Sequence, residues 1–381
     1  MIQRAWFEEF RALRKVSVEL APLTVFVGPN GSGKTSMLEG IELALLVAQT
    51  GGDVAARAWT RDRARRAEAV RSTALGVEIE GGDPPDYFDV RYRQVSSAGP
   101  GSVVGVTRGR CGGVEKTLEE SGSFGFVTNL GAAFNTFKAS LPQVLRLRLD
   151  ASRLAAPSYS EDAVPLVSSA GEGLASVIAD LASRRPDVSE RIVADVRRVI
   201  PSLRRIRAVR AQVERDETQV IEFNGKSVRV PDKRSYWGHS LVVDMTGGDD
   251  IPLSMAGEGT ALAVGLMTVL RSVEPPQLLL LDDLDRALHP KAQQDLVALL
   301  REVMATDPEL QIIATSHSPF LLDALDHEEV RLTTLADDGS VLCAALHDHP
   351  EFEQWKLLVK PGELWTSGLE DWLRAKQGRA A

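Results

Sequence analysis

The 381-residue sequence contains only two cysteines, Cys111 and Cys343, which are too few for a disulfide framework and lack the spacing of a zinc site. No stretch approaches the roughly 20 consecutive apolar residues that a helix needs to span a bilayer, and the N-terminus has no signal-peptide pattern. We therefore expect a soluble, cytoplasmic protein with no membrane partner. Hydrophobic residues make up 44% of the chain, enough for one large two-lobed domain or two smaller ones.

The sequence also lacks an excess of positive charge, because its formal net charge is −9. The charge is unevenly distributed, however: nine arginines and only three acidic residues lie between Arg184 and Arg210. Such a cluster could contact the phosphates of DNA or RNA, or it could be the solvated face of a helix. Sustained heptad repeats are absent, which argues against a long coiled-coil arm.

Residues 28–35 read Gly-Pro-Asn-Gly-Ser-Gly-Lys-Thr and match the phosphate-loop pattern G-x-x-x-x-G-K-[ST]. An apolar strand is expected before them at 23–27, and a helix with regularly spaced apolar positions after them. Backbone N–H groups of such a loop and of the helix N-terminus converge on one anion. The pattern predicts an ATP site in which Lys34 reaches the β- and γ-phosphates and Thr35 ligates Mg²⁺. The full predicted cradle is Asn30, Gly31, Ser32, Gly33, Lys34, Thr35 and Ser36.

An uninterrupted apolar run at 278–281 ends in two acids, Asp282 and Asp283. This pattern is typical of a parallel strand that is buried on both faces and has its carboxyl end at the nucleotide. Asp282 is then expected to anchor Mg²⁺, and Asp283 to polarise the attacking water. The alternative is a buried strand followed by an ordinary polar turn.

Two further segments complete the predicted site. A short β-branched strand at 311–316 is followed by His317, which could donate a hydrogen bond to the γ-phosphate, although a lone loop histidine is usually a surface residue. Residues 253–260 read Leu-Ser-Met-Ala-Gly-Glu-Gly-Thr and precede an apolar helix, which predicts a second anion site. Either Ser254 or the turn Gly257-Glu258-Gly259 could meet the phosphate, and an ordinary N-cap is the alternative.

The order of these segments resembles the ABC-type ATPases of the SMC, RecF and overcoming-lysogenization-defect (OLD) kind, and most closely the bacterial "AAA family ATPase" proteins. The resemblance begins at Phe10 and resumes at residue 251. The run LDDLDRALHP is similar to the Walker B and D-loop segment of the family, and the run THSPFL to its switch-histidine segment. The resemblance implies an α/β P-loop NTPase fold of ABC type, with a mixed sheet, an antiparallel β-meander and an inserted helical lobe. Fewer residues follow His317 than the Toprim nuclease domain of many OLD-type proteins requires.

The same resemblance implies one ABC-type ATPase domain over residues 1–381. Helices are expected at 172–200, and alternating strand patterns between 75 and 119. The predicted sub-lobes are a P-loop unit at 1–50, a β-meander at 72–130, an inserted helical lobe at 150–245, a signature, Walker B and switch-histidine unit at 250–345, and a C-terminal tail at 346–381.

The family relationship further implies a head-to-tail homodimer in which the P-loop and Asp282 of one protomer hold an ATP that the Gly257–Gly259 region of the other caps. It suggests a nucleotide-gated switch in DNA repair or antiphage defence that controls a separate effector protein. Two departures affect this prediction: the catalytic Glu of the family is Asp283 here, and the signature reads LSMAGEG instead of LSGGQ. A shorter carboxylate favours slow turnover. A non-hydrolysing ATP-gated scaffold and a transport ATPase subunit are the alternatives.

Overall fold

The computed structural model describes residues 1–50, 72–80, 85–94, 103–111, 114–121, 141–223, 226–356, 358–366, 368 and 371–380. Its strands are β1 (Ile2–Phe10), β2 (Leu13–Glu19), β3 (Leu23–Val27), β4 (Ser72–Ile79), β5 (Asp86–Gln94), β6 (Val103–Cys111), β7 (Val114–Ser121), β8 (Val144–Leu147), β9 (Leu203–Phe223), β10 (Lys226–Met245), β11 (Gly248–Pro252), β12 (Leu278–Leu281), β13 (Gln311–Ser316), β14 (Val330–Leu335) and β15 (Val341–Ala345). Its helices are α1 (Lys34–Thr50), α2 (Ala151–Leu154), α3 (Leu174–Arg184), α4 (Pro186–Val199), α5 (Glu258–Leu270), α6 (Pro290–Thr306), α7 (Pro319–Leu322), α8 (Phe352–Trp355), α9 (Pro361–Thr366) and α10 (Asp371–Ala380).

The chain divides into two compact units. Unit 1 comprises residues 1–146, 276–285 and 300–381, and unit 2 comprises residues 147–275 and 286–299. The sub-lobe boundaries given above remain a proposal. Within the described part of the chain, no helix has both the length and the apolar content required to cross a membrane.

A mixed six-stranded sheet forms the base of unit 1, in the order β15-β14-β3-β13-β12-β8. Strands β14, β3, β13 and β12 pair in parallel, and β15 pairs antiparallel with β14. Every residue of β3, β12 and β13 is buried, as expected of parallel strands covered on both faces. The two central strands end at the P-loop and at His317, which places these segments at one edge of the sheet.

A second six-stranded sheet in unit 1 has the order β2-β1-β4-β5-β6-β7 and is antiparallel throughout. It confirms the predicted β-meander, whose final residues, 122–130, lie outside the described residues. Apolar side chains from both sheets and from α1 form one core cluster, with Phe7, Phe26, Leu38 and Leu75 among its fully buried members. Helix α1 is thereby fixed by its apolar face, with its N-terminus at the P-loop.

Unit 2 contains the predicted helices at 172–200, observed as α3 and α4, but only the first part of the predicted helical lobe is helical. Residues 203–245 instead form the long strands β9 and β10, of 21 and 20 residues, which pair antiparallel. The correction has a clear physical cause. Along β9, Val209, Ala211 and Val213 alternate with polar residues, a period of two that predicts a strand. The arginines interspersed in this stretch make the alternation less apparent in the sequence.

Candidate nucleotide site

The P-loop connects β3 to α1 in unit 1, and β14 packs closely against it. A Cβ at Gly28 would overlap the carbonyl oxygen of Thr333, so only glycine fits there. The hydroxyl of Thr333 donates to the carbonyl oxygen of Val27, at 3.2 Å, and lies 2.7 Å from Ser32 Oγ. Because the proton of Thr333 is already engaged, Ser32 is the donor to Thr333. The sequence analysis had not connected β14 with the P-loop.

Lys34 occupies the interior of the loop and is only 5% exposed. Its ammonium donates to the carbonyl oxygens of Gly28 and Pro29, both at 2.8 Å. Burial lowers the pKa of Lys34 to about 8, and the negative charges of Asp283, Asp285 and Asp282 oppose that shift. The loop therefore holds a cation among carbonyl oxygens beside a group of acids. The remaining predicted cradle residues, Asn30, Gly31, Gly33, Thr35 and Ser36, occupy the loop and the first turn of α1.

The carboxylate of Asp282 is 4% exposed and makes three polar contacts. Thr35 and Thr315 donate their hydroxyls to Oδ1, at 3.0 and 3.2 Å. Arg146 donates from Nη2 to Oδ2, at 3.1 Å. The structure thus brings together the two residues predicted to lie near Mg²⁺, Thr35 and Asp282, and fixes the orientation of the acid from both sides.

Arg146 was missed by the sequence analysis. This arginine of β8 also donates to Glu39 Oε1, at 3.0 Å, and to Glu42 Oε2, at 3.2 Å. Glu39 pairs with Arg11 as well. Two glutamates three residues apart share one face of a helix, so their position just after the P-loop predicts a nearby cation. Nothing in the local pattern indicated which of the many arginines it would be.

Asp283 differs sharply from its neighbour, because its side chain is 50% exposed. Its backbone has φ = 55°, in the left-handed region, and its N–H donates to Thr315 Oγ1 at 2.9 Å. Asp283 Oδ1 lies 3.7 Å from His317 Nε2. The backbone N–H of His317 donates to Asp285 Oδ1 at 3.2 Å. The two predicted catalytic side chains are therefore neighbours at the open side of the site.

The signature turn, Leu253–Gly259, lies in unit 2. Ser254 is exposed, and Met255 is 78% exposed. Gly257 has φ = 90° and precedes α5 without a side-chain cap. The first N–H groups of α5 have no partner within the helix. Such a helix start can accept an anion, with Ser254 and the Gly257-Glu258-Gly259 turn as its candidate contacts.

Glu258 places a negative charge at this helix start, and Arg286 neutralises it. Arg286 Nη2 lies 2.6 Å from Glu258 Oε1. The backbone of the signature turn also packs closely against Ala287, because a Cβ at Gly259 would overlap the carbonyl oxygen of Ala287. Residues 286–287 lie three and four positions after Asp283, the second Walker B acid. Their contact with the signature turn was not predicted, since Arg286 lies 27 positions after Gly259 in the sequence.

Most of the arginine cluster of unit 2 serves its own fold. Arg191 and Arg205 make no hydrogen bond or ion pair with any residue that the structure describes. A nucleic-acid contact through these two side chains stays a prediction. The engaged arginines pair with carboxylates or carbonyl oxygens: Arg184 with Asp180, Arg185 with Asp187, Arg204 with Asp249, Arg207 with Asp244 and Asp250, and Arg197 with the carbonyls of Leu203 and Arg204.

The family model described as "AAA domain, putative AbiEii toxin, Type IV TA system" matches residues 115–323, which is more than half of the chain. The chain belongs to this AAA-domain family. A second model, described as "AAA domain", matches residues 7–104 and therefore contains the P-loop. The predicted family is confirmed.

The chain is similar to two curated proteins. The OLD nuclease of Thermus scotoductus (strain ATCC 700910 / SA-01) is 24% identical over 378 residues, which cover 91% of this chain and 65% of the nuclease. The Septu protein PtuA of Bacillus thuringiensis is 36% identical over 64 residues, 17% of this chain and 15% of PtuA. The chain thus spans less than two thirds of the length of either relative. The absence of a Toprim domain stays a prediction.

Among solved structures, an SmcHead in complex with the C-winged helix domain of ScpA superimposes with a TM-score of 0.54 at 14% identity. The match covers 91% of this chain and 98% of the SmcHead chain. At this identity the similarity concerns the fold alone. It confirms the ABC-type P-loop ATPase fold with a mixed sheet that the resemblance implied.

Proposed function

We propose that the chain binds and hydrolyses ATP as an ABC-type nucleotide-gated switch and works as a head-to-tail homodimer. The observation that carries this proposal is the contact of Thr35 with Asp282, at 3.0 Å, beside the buried ammonium of Lys34. A P-loop that served only as a structural turn would not need a buried lysine and a buried acid at its open end. The family membership supports the same activity.

The residues at the P-loop fit a Mg²⁺-nucleotide. Thr35 and Asp282 offer hydroxyl and carboxylate oxygens, which are the ligands that Mg²⁺ prefers. In the described residues no set of three or more His, Cys, Asp or Glu side chains could enclose a metal by itself, and Mg²⁺ at nucleotide sites usually shares one or two protein ligands with phosphates and water. Bound there, Mg²⁺ would neutralise charge on the phosphate oxygens.

The loop's own groups would each contact a particular part of the triphosphate. The N–H groups at 30–35 and the N-terminus of α1 would surround the β-phosphate. Lys34 would exchange the carbonyls of Gly28 and Pro29 for phosphate oxygens. That exchange is favourable, because the ammonium then donates to a negatively charged acceptor instead of a neutral one.

For hydrolysis, we propose that Asp283 orients the attacking water and that His317 donates to a γ-phosphate oxygen. The water oxygen would bond to the γ-phosphorus while the bond to the β–γ bridging oxygen breaks, releasing ADP and phosphate. The left-handed backbone of Asp283 explains an aspartate at a position where the family has glutamate, because Asp tolerates this conformation well. The shorter side chain reaches less far, so we expect slow turnover. A non-hydrolysing scaffold is the alternative that a single-turnover assay would distinguish.

The signature turn provides the second half of each site in this proposal. Its exposed Ser254 and the uncapped start of α5 would contact the γ-phosphate held by the partner protomer. ATP would then form part of the interface, so that ATP binding closes the dimer and hydrolysis reopens it. The Arg286 contact matters here because an unpaired Glu258 carboxylate would repel the triphosphate.

A complementation experiment tests the composite site. Lys34→Ala removes the P-loop cation, and Ser254→Arg blocks the signature turn from an exposed position, whereas any side chain at Gly259 would disturb its own unit. Each variant alone should be inactive. In an equal mixture, half of the dimers are mixed and each has one intact site, so about a quarter of the parent ATPase rate should return.

The matched control is Ser183→Arg, which adds the same charge to an exposed serine of α3 in the same unit and should keep full activity. If mixed dimers form and no activity returns, the proposed trans contact is wrong. Full activity of Ser254→Arg alone would exclude any role of the signature turn.

We further propose that the switch controls a separate effector chain in a defence or DNA-repair system. The similarity to an OLD nuclease and to the Septu protein PtuA supports this role. The test is co-purification of the tagged chain with the products of the neighbouring genes, with and without ATP. A partner retained by the parent with ATP, and lost from Lys34→Ala but kept by the surface variant Lys15→Ala, is the expected result. A partner retained equally by all three proteins would contradict nucleotide gating.

A further inference from the structure

A cavity of about 270 Å³ lies in unit 1, where the edge strands β2 and β15 approach each other. None of its lining residues belongs to the P-loop, the Walker B acids or the switch-histidine segment. The residues that matter for its chemistry are Arg4, Glu19, Arg331, Cys343, His347 and Asp348.

The unusual member of this cavity is Arg331, an arginine of β14 that is 5% exposed. Its Nε donates to the carbonyl oxygen of Glu19 at 2.7 Å. Its Nη1 donates to the carbonyl oxygens of Glu328 and Val330, at 2.6 and 3.0 Å. Within the described part of the chain, Nη2 has no hydrogen-bond acceptor, and no carboxylate oxygen lies within 4.0 Å of the guanidinium.

A buried guanidinium without a counter-ion is energetically costly. Carbonyl oxygens satisfy three of its N–H groups, but they carry no net charge to balance it, and buried charges in proteins are normally paired. Burial lowers the pKa of Arg331, yet a guanidinium remains protonated in proteins. Two N–H groups on Nη2 are therefore available at the cavity, and among the described residues the positive charge is offset only by the carboxylates of Glu19 and Asp348, which lie beyond ion-pair distance.

The other lining groups carry charges of both signs. Cys343 adds no negative charge, because burial raises the pKa of its thiol to about 12. Arg4 contributes a second guanidinium, although Glu78 pairs with it at 2.7 Å. Asp348 Oδ1 lies 3.8 Å from His347 Nε2. The volume falls slightly below the range of about 300–1,000 Å³ for sites of drug-sized ligands, which favours a compact ligand over a whole nucleotide.

We propose that this cavity binds a compact phosphate group, either inorganic phosphate or the phosphate of a small metabolite, with Arg331 Nη2 as the anchoring donor. Arginine is well suited to this contact, since its planar fork pairs with two phosphate oxygens. Glu19 and Asp348 at the rim weaken the attraction and limit the site to anions that reach Arg331 directly. The proposal is independent of the ATP site.

The test is calorimetric titration of inorganic phosphate into Lys34→Ala protein at constant ionic strength, so that the P-loop contributes little. Saturable binding is expected, and Arg331→Met in the same background should weaken it about tenfold or more, because a charge-assisted bond is lost. Arg14→Met is the matched control: it removes an exposed arginine of β2 that pairs with Asp338, and phosphate affinity should not change. A parallel titration with ribose 5-phosphate distinguishes the two sources, since tighter binding of the sugar phosphate would identify a metabolite site.

A second variant keeps the proposal testable if Arg331→Met fails to fold. Asp348→Asn removes a negative charge at the rim without touching the carbonyls that hold Arg331, and it should raise phosphate affinity about two- to tenfold. Three results would overturn the proposal: no binding to the Lys34→Ala protein below about 10 mM phosphate, unchanged affinity in folded Arg331→Met, or unchanged or reduced affinity in Asp348→Asn.

Discussion

The P-loop region of unit 1 and the signature turn of unit 2 are both suited to phosphate, yet they are built in opposite ways. In the P-loop region, Lys34 and Asp282 are almost completely buried and already bonded to neighbouring groups. In the signature turn, Ser254 and Met255 are exposed, and the first N–H groups of α5 await an acceptor. One region is organised by its own unit, and the other presents its groups outward.

This difference has a thermodynamic meaning. Groups fixed during folding lose no further conformational freedom when the ligand arrives, so a preorganised site binds more tightly for the same contacts. An exposed turn contributes only when a second surface excludes water from it. In the proposed dimer, ATP would therefore bind first to a single protomer, and the signature turn of the other protomer would close on it afterwards.

The largest effect is expected from Lys34→Ala. The variant loses the only cation among the predicted cradle residues, and hydrogen bonds from a charged donor contribute about 1.5–3 kcal/mol each. With two such bonds to phosphate, ATP binding should fall below detection in calorimetry, while circular dichroism should show an intact fold. Lys15→Ala, which removes an exposed lysine of β2, should bind ATP normally. Parent-like affinity in Lys34→Ala would contradict the assignment of the P-loop.

Asp283→Ala should affect hydrolysis and leave binding intact, because the side chain is half exposed and holds no part of the P-loop. We expect the steady-state rate to fall about 100-fold and the ATP-bound dimer to accumulate in size-exclusion chromatography. Asp283→Glu should keep or raise the rate, since its carboxylate reaches further. It should also lower the free energy of unfolding by about 1 kcal/mol, because Glu fits a positive φ less well. An unchanged rate in Asp283→Ala would remove Asp283 from the mechanism.

Arg146→Gln tests the buried side of the contrast by its effect on stability. The change leaves the carboxylates of Glu39, Glu42 and Asp282 without their shared cation, and breaking a mostly buried ion pair costs about 3 kcal/mol. Urea denaturation of the nucleotide-free protein is the measurement. Arg286→Gln is the matched control in unit 2, where the pair with Glu258 is half exposed and should be worth less than about 1 kcal/mol. Equal losses in the two variants would mean that the two regions are not built differently.

The parts of this architecture that could be predicted from sequence are those specified locally. The strand, loop and helix at 23–50 follow from apolar spacing and a fixed glycine pattern, and the runs at 278–281 and 311–316 read directly as buried strands. The contacts of Arg146 and Arg331 could not be predicted, because each depends on which strands become neighbours in the sheet. Only tertiary pairing brings Arg146 of β8 to Asp282, 136 residues further along the chain.

The long strands of unit 2 were missed for a different reason. Between residues 203 and 215, five of the seven polar positions are arginines, and a regular alternation of apolar and polar residues is confined to 209–214. The interpretation as a solvated helix face or a phosphate-binding patch treated all nine arginines alike. Their separate environments decide what each one can do: Arg204 and Arg207 stabilise the β9–β10–β11 sheet through Asp249, Asp244 and Asp250.

The smallest effect is expected at Arg191 and Arg205, the two arginines of this cluster that make no hydrogen bond or ion pair within the described residues. If unit 2 contacts DNA, each Arg→Gln change should remove about one phosphate contact and reduce the slope of log affinity against log salt concentration by about one. Fluorescence anisotropy with a labelled duplex, at several salt concentrations and with ATP present, measures that slope. Arg185→Gln is the control from the same cluster, because Asp187 already neutralises Arg185 and the slope should not change. Equal slopes for all three variants and the parent would show that these exposed arginines are only a solvated face. The P-loop region and the signature turn would then differ only in how they contact the nucleotide.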